Sequence, residues 1–231
     1  MELLPHGLQL EIPPGCFPLT TDSMALAHFA GSLGAKSVLD LGSGCGTLGL
    51  LLCAQSQRCH VTGIELDAAA HRGAEENIRR NKLTERMESI CADLRQLPGL
   101  FEPGQFDCCI SNTPYFSGGP ASLSPSLRRE DCCCLGDLMA SAAWALKYGG
   151  DFFLVHRPER LGEVIARGAE HHLEAKQLKL LRHREDGPIS LILLRLRKGG
   201  KPGLAMEELS LHHGDGSPTK EYLEIYHIRE D

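Results

Sequence analysis

The stretch Asp40-Leu41-Gly42-Ser43-Gly44-Cys45-Gly46 closes a short apolar run, 37–41 (SVLDL), and leads into a second apolar stretch that begins at Thr47. Its glycines therefore fall where a strand is expected to turn into a helix. Glycine there lets the backbone take positive φ and lets a ligand approach closely, while the helix start beyond supplies N–H groups with no intrahelical partner. Outward from this turn, apolar runs recur at 60–65, 87–91, 106–110 and 151–155, with helix-like stretches at 47–56, 68–81 and 135–148. In the last of these Leu138, Ala142, Ala145 and Leu146 keep helical spacing, and Gly149-Gly150 is the expected stop. The alternation predicts repeated strand–helix units on a mostly parallel, doubly wound α/β sheet. After a further helix-like stretch from Arg157 to His172, runs 173–182 and 188–197 flank the charged turn Arg184-Glu185-Asp186-Gly187 and predict a closing antiparallel hairpin. The tail 204–231 adds a strand and a short helix after Pro218, and near the start a helix over 24–29 would be capped by Thr21, Asp22 or Ser23.

Two more carboxylates end neighbouring strands: Glu65 after the second, and Asp93 in Cys91-Ala92-Asp93-Leu94 after the third. A strand-end carboxylate in such a sheet can accept hydrogen bonds from both hydroxyls of a ribose. Gly44 to Gly49 also spells a literal G-x-G-x-x-G, which raises a dinucleotide reading. Asp40 argues against it, because a diphosphate would be repelled by a carboxylate at that strand end. S-adenosylmethionine carries an ammonium and a sulfonium but no phosphate, and it suits the same carboxylate.

The fourth run enters Ser111-Asn112-Thr113-Pro114-Tyr115-Phe116, which sets an amide, a proline and an aromatic at the edge where open α/β sheets bind ligands. Methylation of an exocyclic amino group needs acceptors that hold the NH2 and free its lone pair for the incoming methyl. Asn112 and the carbonyl of Thr113 or Pro114 are candidates for those acceptors. Tyr115 would stack on the flat substrate, and no general base is then required.

These residues resemble the class I S-adenosylmethionine-dependent methyltransferases that carry an Asn-Pro-Pro-Tyr type motif, and most closely the bacterial tRNA adenine-N6 methyltransferases. The resemblance implies a Rossmann-like, seven-stranded α/β domain over 37–231, preceded by a segment 1–36 that packs on the cofactor site. It implies a cofactor set of Thr21, Asp40, Gly42, Gly44, Gly46, Glu65, Leu66, Asp93, Leu94 and Asn112, with Asn112, Pro114 and Tyr115 as the catalytic clamp. Glu65 would hold the ribose, Asp93 would lie near the adenine, and the region of Thr21 and Asp22 would close over the methionine end. One position departs from the pattern: Thr113 stands where the usual motif has its first proline. Dimethyltransferases of ribosomal RNA tolerate a different residue there.

The chain has 231 residues, 42% hydrophobic and 23% charged, enough for one principal domain. No apolar run long enough for a membrane span and no basic-then-apolar start occur, so a cytoplasmic protein, monomer or homodimer, is expected. Ten cysteines are read as reduced small hydrophobes, with Cys53, Cys59, Cys91, Cys108 and Cys109 inside apolar runs. The triplet Cys132-Cys133-Cys134 has no partner at zinc spacing, and no metal is expected. A net charge of −6 gives no global attraction to RNA, so a tRNA substrate would rely on local basic residues: Arg128, Arg129, Arg157, Arg160 and Lys220. The segment 118–125 is the candidate substrate loop. Two other readings stay open: a protein methyltransferase acting on a glutamine amide, and a non-catalytic S-adenosylmethionine-binding partner protein.

Overall fold

In the computed structural model, residues 1–31, 34, 36–112 and 134–228 are described. A two-stranded antiparallel pair, β1 (Glu2–Leu3) and β2 (Gln9–Leu10), precedes α1 (Thr21–Gly31). Then follow β3 (Ser37–Leu41), α2 (Thr47–Gln55), β4 (His60–Glu65), α3 (Ala68–Arg80), β5 (Met87–Cys91) and β6 (Phe106–Ser111). The rest comprises α4 (Leu135–Ala145), β7 (Leu146–His156), α5 (Leu161–Glu170), β8 (Leu173–Arg184), β9 (Ile189–Lys198), β10 (Ala205–His212) and α6 (Lys220–Tyr226). The main sheet runs β10-β8-β9-β7-β6-β3-β4-β5, and only β9 lies antiparallel to its neighbours. The glycine turn after β3 thus sits at the carboxyl edge in the parallel half.

The sheet holds eight strands where seven were expected, because β10 takes the outer edge of β8. Opposite charges line that seam: Lys179 lies 3.0 Å from Glu207, and Arg182 lies 3.4 Å from Glu208. The helix expected over 135–148 ends at Ala145, and Leu146 already opens β7 opposite Phe106. Leu146 is fully buried and Lys147 is held 2.6 Å from Asp107, so tertiary contacts override the local helical spacing. Thr21, Asp22 and Ser23 lie within the first turn of α1, which begins at Thr21 rather than at Met24. Thr21 and Ser23 are engaged by Tyr226 and Asn112.

Strand side chains alternate between two cores. Val38, Val61, Cys108 and Ile110 face the layer with α1 and α2, while Leu39, Leu41, Ile64 and Cys109 face the layer with α4. Cys59, Cys108 and Cys109 are buried as expected; Cys53 is buried too but on α2, and Cys91 is exposed at the end of edge strand β5.

The amino-terminal segment is stapled to the glycine turn by one fully buried side chain. Asn77 of α3 accepts from the Glu11 N–H (2.9 Å) and donates to the carbonyls of Glu11 (2.8 Å) and Cys45 (3.0 Å). Asn81 repeats the arrangement with both backbone groups of Gln9, and Arg80 pairs with Glu11. Asn77→Ala orphans three backbone groups, so it is expected to cost about 3 kcal/mol and to lower the Tm by about 6–12 °C, read by thermal denaturation. A loss below about 1 kcal/mol would mean the segment holds without the staple.

Candidate active site

Three glycines make the turn possible. Gly42, Gly44 and Gly46 take φ of 75°, 57° and 87°, and a Cβ at Gly46 would also stand 2.9 Å from Cε of Met87. The turn is tied down from within: the N–H groups of Gly42 and Ser43 donate to the Ile64 carbonyl at 2.9 and 3.0 Å, and that of Gly46 donates to the Ser43 carbonyl at 2.9 Å. Gly44 donates to Glu65 Oε2 at 2.7 Å. With these donors consumed, the turn is a poor cradle for a diphosphate, whatever its G-x-G-x-x-G spelling suggests.

Asp40 is fully buried, and among the described residues neither of its carboxylate oxygens has a hydrogen-bond partner. Burial, with a smaller push from Glu65, raises its carboxyl to about 8. Ser43 Oγ and Thr20 Oγ1 are likewise buried without partners. Buried polar groups are ordinarily satisfied, so a carboxylate left this way fits a cationic ligand group. A diphosphate would meet repulsion at the same place.

Glu65 at the end of β4 accepts from Gly44 and, through Oε1, from the Asp67 N–H at 2.8 Å. Each oxygen retains a further lone pair, which suits a diol. Leu66 beside it is 49% exposed, an apolar side chain standing open at the strand end. Asp93 is gripped by Arg95, whose Nε lies 3.0 Å from both carboxylate oxygens, and this guanidinium holds it below the usual carboxylate range. Any base amino group reaching Asp93 must share it with Arg95. The Leu94 side chain belongs to the core, and its carbonyl accepts from Ser141 at 3.0 Å, leaving only its N–H as a candidate contact.

Asn112 follows β6 and is half-buried; its Nδ2 donates to Ser23 Oγ at 2.9 Å. Asp40 stands opposite Ile110 in the β3–β6 register, and both Asp40 and Asn112 alternate with neighbours that face the other layer. They therefore point to the α1 side of the sheet, Asn112 one pleat, about 7 Å, further toward the carboxyl edge. Thr21 shares the first turn of α1 with Ser23, and its hydroxyl lies 3.0 Å from the Tyr226 hydroxyl. Pro114 and Tyr115, with Arg128, Arg129 and the segment 118–125, lie outside the described residues.

Sequence reasoning gave Ser23 only a capping role and Ser43 only a place in the glycine turn, and gave Asn77, Thr20 and Tyr226 no role of their own. The partners of Ser23, Asn77 and Tyr226 are remote in the chain, and no local pattern marks them. Two of the basic residues expected to meet RNA are already paired, Arg160 with Glu163 (2.6 Å) and Lys220 with Glu224 (3.5 Å), so RNA would have to share them. Among the described residues no cluster of His, Cys, Asp and Glu could hold a metal ion, and no helix is long and apolar enough to cross a membrane. Cys134 caps α4, accepting from the Asp137 N–H at 3.4 Å.

A family model described as methyltransferase small domain matches residues 21–174. Among curated proteins, the tRNA1(Val) (adenine(37)-N6)-methyltransferase of Tolumonas auensis is 31% identical over 214 residues, covering 89% of this chain and 86% of that protein. The protein of the same name from Aeromonas hydrophila subsp. hydrophila is 28% identical over 209 residues, with coverage of 89% and 86%. Among solved structures, a predicted O-methyltransferase from Agrobacterium tumefaciens matches with a TM-score of 0.72 at 21% identity, over 90% of this chain and 96% of that one. At that identity the likeness speaks for the fold alone.

Proposed function

Because the chain belongs to the methyltransferase small domain family, we propose that it methylates the exocyclic N6 of an adenine in tRNA, with S-adenosylmethionine as methyl donor. Bound at the glycine turn, that cofactor supplies an electrophilic methyl group on a sulfonium. Asp40 would meet its ammonium, Glu65 its ribose, and Leu66 with the Asp93–Leu94 backbone its adenine. The segment 1–36, stapled through Asn77 to the Cys45 carbonyl, would back this site.

The observation that best supports the reading is the Asn112 amide. Its NH2 donates to Ser23, which turns its carbonyl oxygen outward as the acceptor, on the same face of the sheet as Asp40. That oxygen would accept from the substrate amino group and turn the nitrogen lone pair toward the methyl. With the methyl group supplied by the cofactor, the substrate nitrogen would give up its proton to water, and no side chain would be needed as a base. Thr113 changes the residue but leaves a backbone carbonyl in that stretch. On this reading the enzyme acts in the cytoplasm, and the names of the relatives make adenine 37 of a valine tRNA the first target to try.

The test is incubation of the purified protein with labelled S-adenosylmethionine and unmodified tRNA, followed by nucleoside mass spectrometry. Labelled N6-methyladenosine is expected. Cofactor binding with no labelled nucleoside, but with label in glutamine-containing peptides, would transfer the activity to protein amides.

A further inference from the structure

We propose that Ser23 is the positioning residue of the clamp: its hydroxyl fixes which end of the Asn112 amide faces the substrate. The inference rests on the reading of Asn112 as the acceptor for the substrate amino group.

An asparagine side chain is nearly symmetric in shape but opposite in chemistry at its two ends, an acceptor oxygen and a donor NH2. Turned one way, Asn112 accepts from a substrate NH2; turned the other, it sets NH2 against NH2 and offers nothing. At the end of β6 nothing in the strand pattern selects between these states. Ser23 does so from α1, 89 positions earlier in the chain, by accepting from Asn112 Nδ2 at 2.9 Å. A serine hydroxyl can donate or accept, and here it accepts, with the Asn112 NH2 as donor. Ser23 is itself only 5% exposed, so water does not replace it readily. The first turn of α1 is anchored in turn through Thr21 and Tyr226, 3.0 Å apart, so the hydroxyl is presented from a braced element.

Ser23→Ala is expected to lower kcat about 10- to 100-fold on unmodified tRNA while the Kd for S-adenosylmethionine stays within about twofold. Ser23→Thr, which keeps the hydroxyl, should restore most of the rate. In nitrogen–proton correlation spectra the side-chain NH2 of Asn112 should be protected from exchange in the parent protein and lose that protection in Ser23→Ala, a change that a merely structural serine would not produce. Full activity of Ser23→Ala beside an inactive Asn112→Ala overturns the role of Ser23 and leaves the clamp standing. Equal loss in Ser23→Ala and Ser23→Thr, or a parallel loss of cofactor affinity, also overturns it. If Asn112→Ala itself keeps the parent rate, the clamp reading fails, and this inference with it.

Discussion

Asn112→Ala should reduce methyl transfer about 10²- to 10³-fold while leaving S-adenosylmethionine affinity nearly unchanged, the size of effect seen when one preorganised hydrogen-bonding group is removed from a reacting centre. The prediction follows from where Asn112 stands. It lies one pleat beyond the Asp40 level on the same face of the sheet, and its amide is held by Ser23. Alanine removes the acceptor oxygen without disturbing the glycine turn, whose hydrogen bonds run to Ile64, Glu65 and Ser43. Single-turnover transfer to tRNA, with cofactor binding measured calorimetrically on the same preparation, separates the two. A variant that transfers at the parent rate would remove Asn112 from the chemistry.

Asp40→Asn should act in the opposite sense, weakening S-adenosylmethionine binding about 100-fold and making the cofactor-free protein more stable at alkaline pH. The carboxyl is fully buried and has no hydrogen-bond partner among the described residues, so on the proposed reading its charge is available to the cofactor ammonium. A buried charge pair that loses one member costs on the order of 3 kcal/mol, which is about 100-fold in Kd. Without cofactor, the folded-state carboxyl at about 8 lies above the ordinary unfolded value near 4. The folded state then holds a proton that the unfolded state releases, so stability present below about pH 4 is lost as pH rises toward 8. Across that window the cofactor-free parent should lose a few kcal/mol that Asp40→Asn does not. Melting curves at pH 5 and pH 8 test this, and parallel pH slopes in the two proteins would contradict it. Binding of the ammonium below pH 8 should also expel the Asp40 proton, which calorimetry in buffers of different ionisation enthalpy detects.

What could be read from the sequence was what local chemistry decides. β3, α2, β4 and α3 lie within about a residue of their expected bounds, because apolar runs and glycines are short-range signals. What could not be read depends on pairings distant in the chain. The strand in the tail is legible but its place beside β8 is not, since Glu207 and Glu208 look like solvated surface until Lys179 and Arg182 lie opposite them. Leu146 kept helical spacing yet opens β7, since its partner is Phe106, forty residues earlier. The candidate site divides the same way. The glycine turn and the strand-end carboxylates follow from the order of elements alone. The Ser23 hold on Asn112 does not, and Asn77 sits in a charged helix with nothing to mark it as buried; the Arg95 grip on Asp93 is local, two residues apart, yet no motif marks it.

The alternation that sets Asp40 and Asn112 on one face also limits how this enzyme can be altered. Removing a single residue from β6 would turn Asn112 to the α4 side, out of reach of Ser23, whereas removing two would return it to the α1 side but about 7 Å short. The gap between the Asp40 level and Asn112 is thus a quantised length, adjustable only in steps of a whole pleat. Redesign toward a larger or smaller acceptor must come from the residues that frame that gap, because the gap itself cannot be widened gradually.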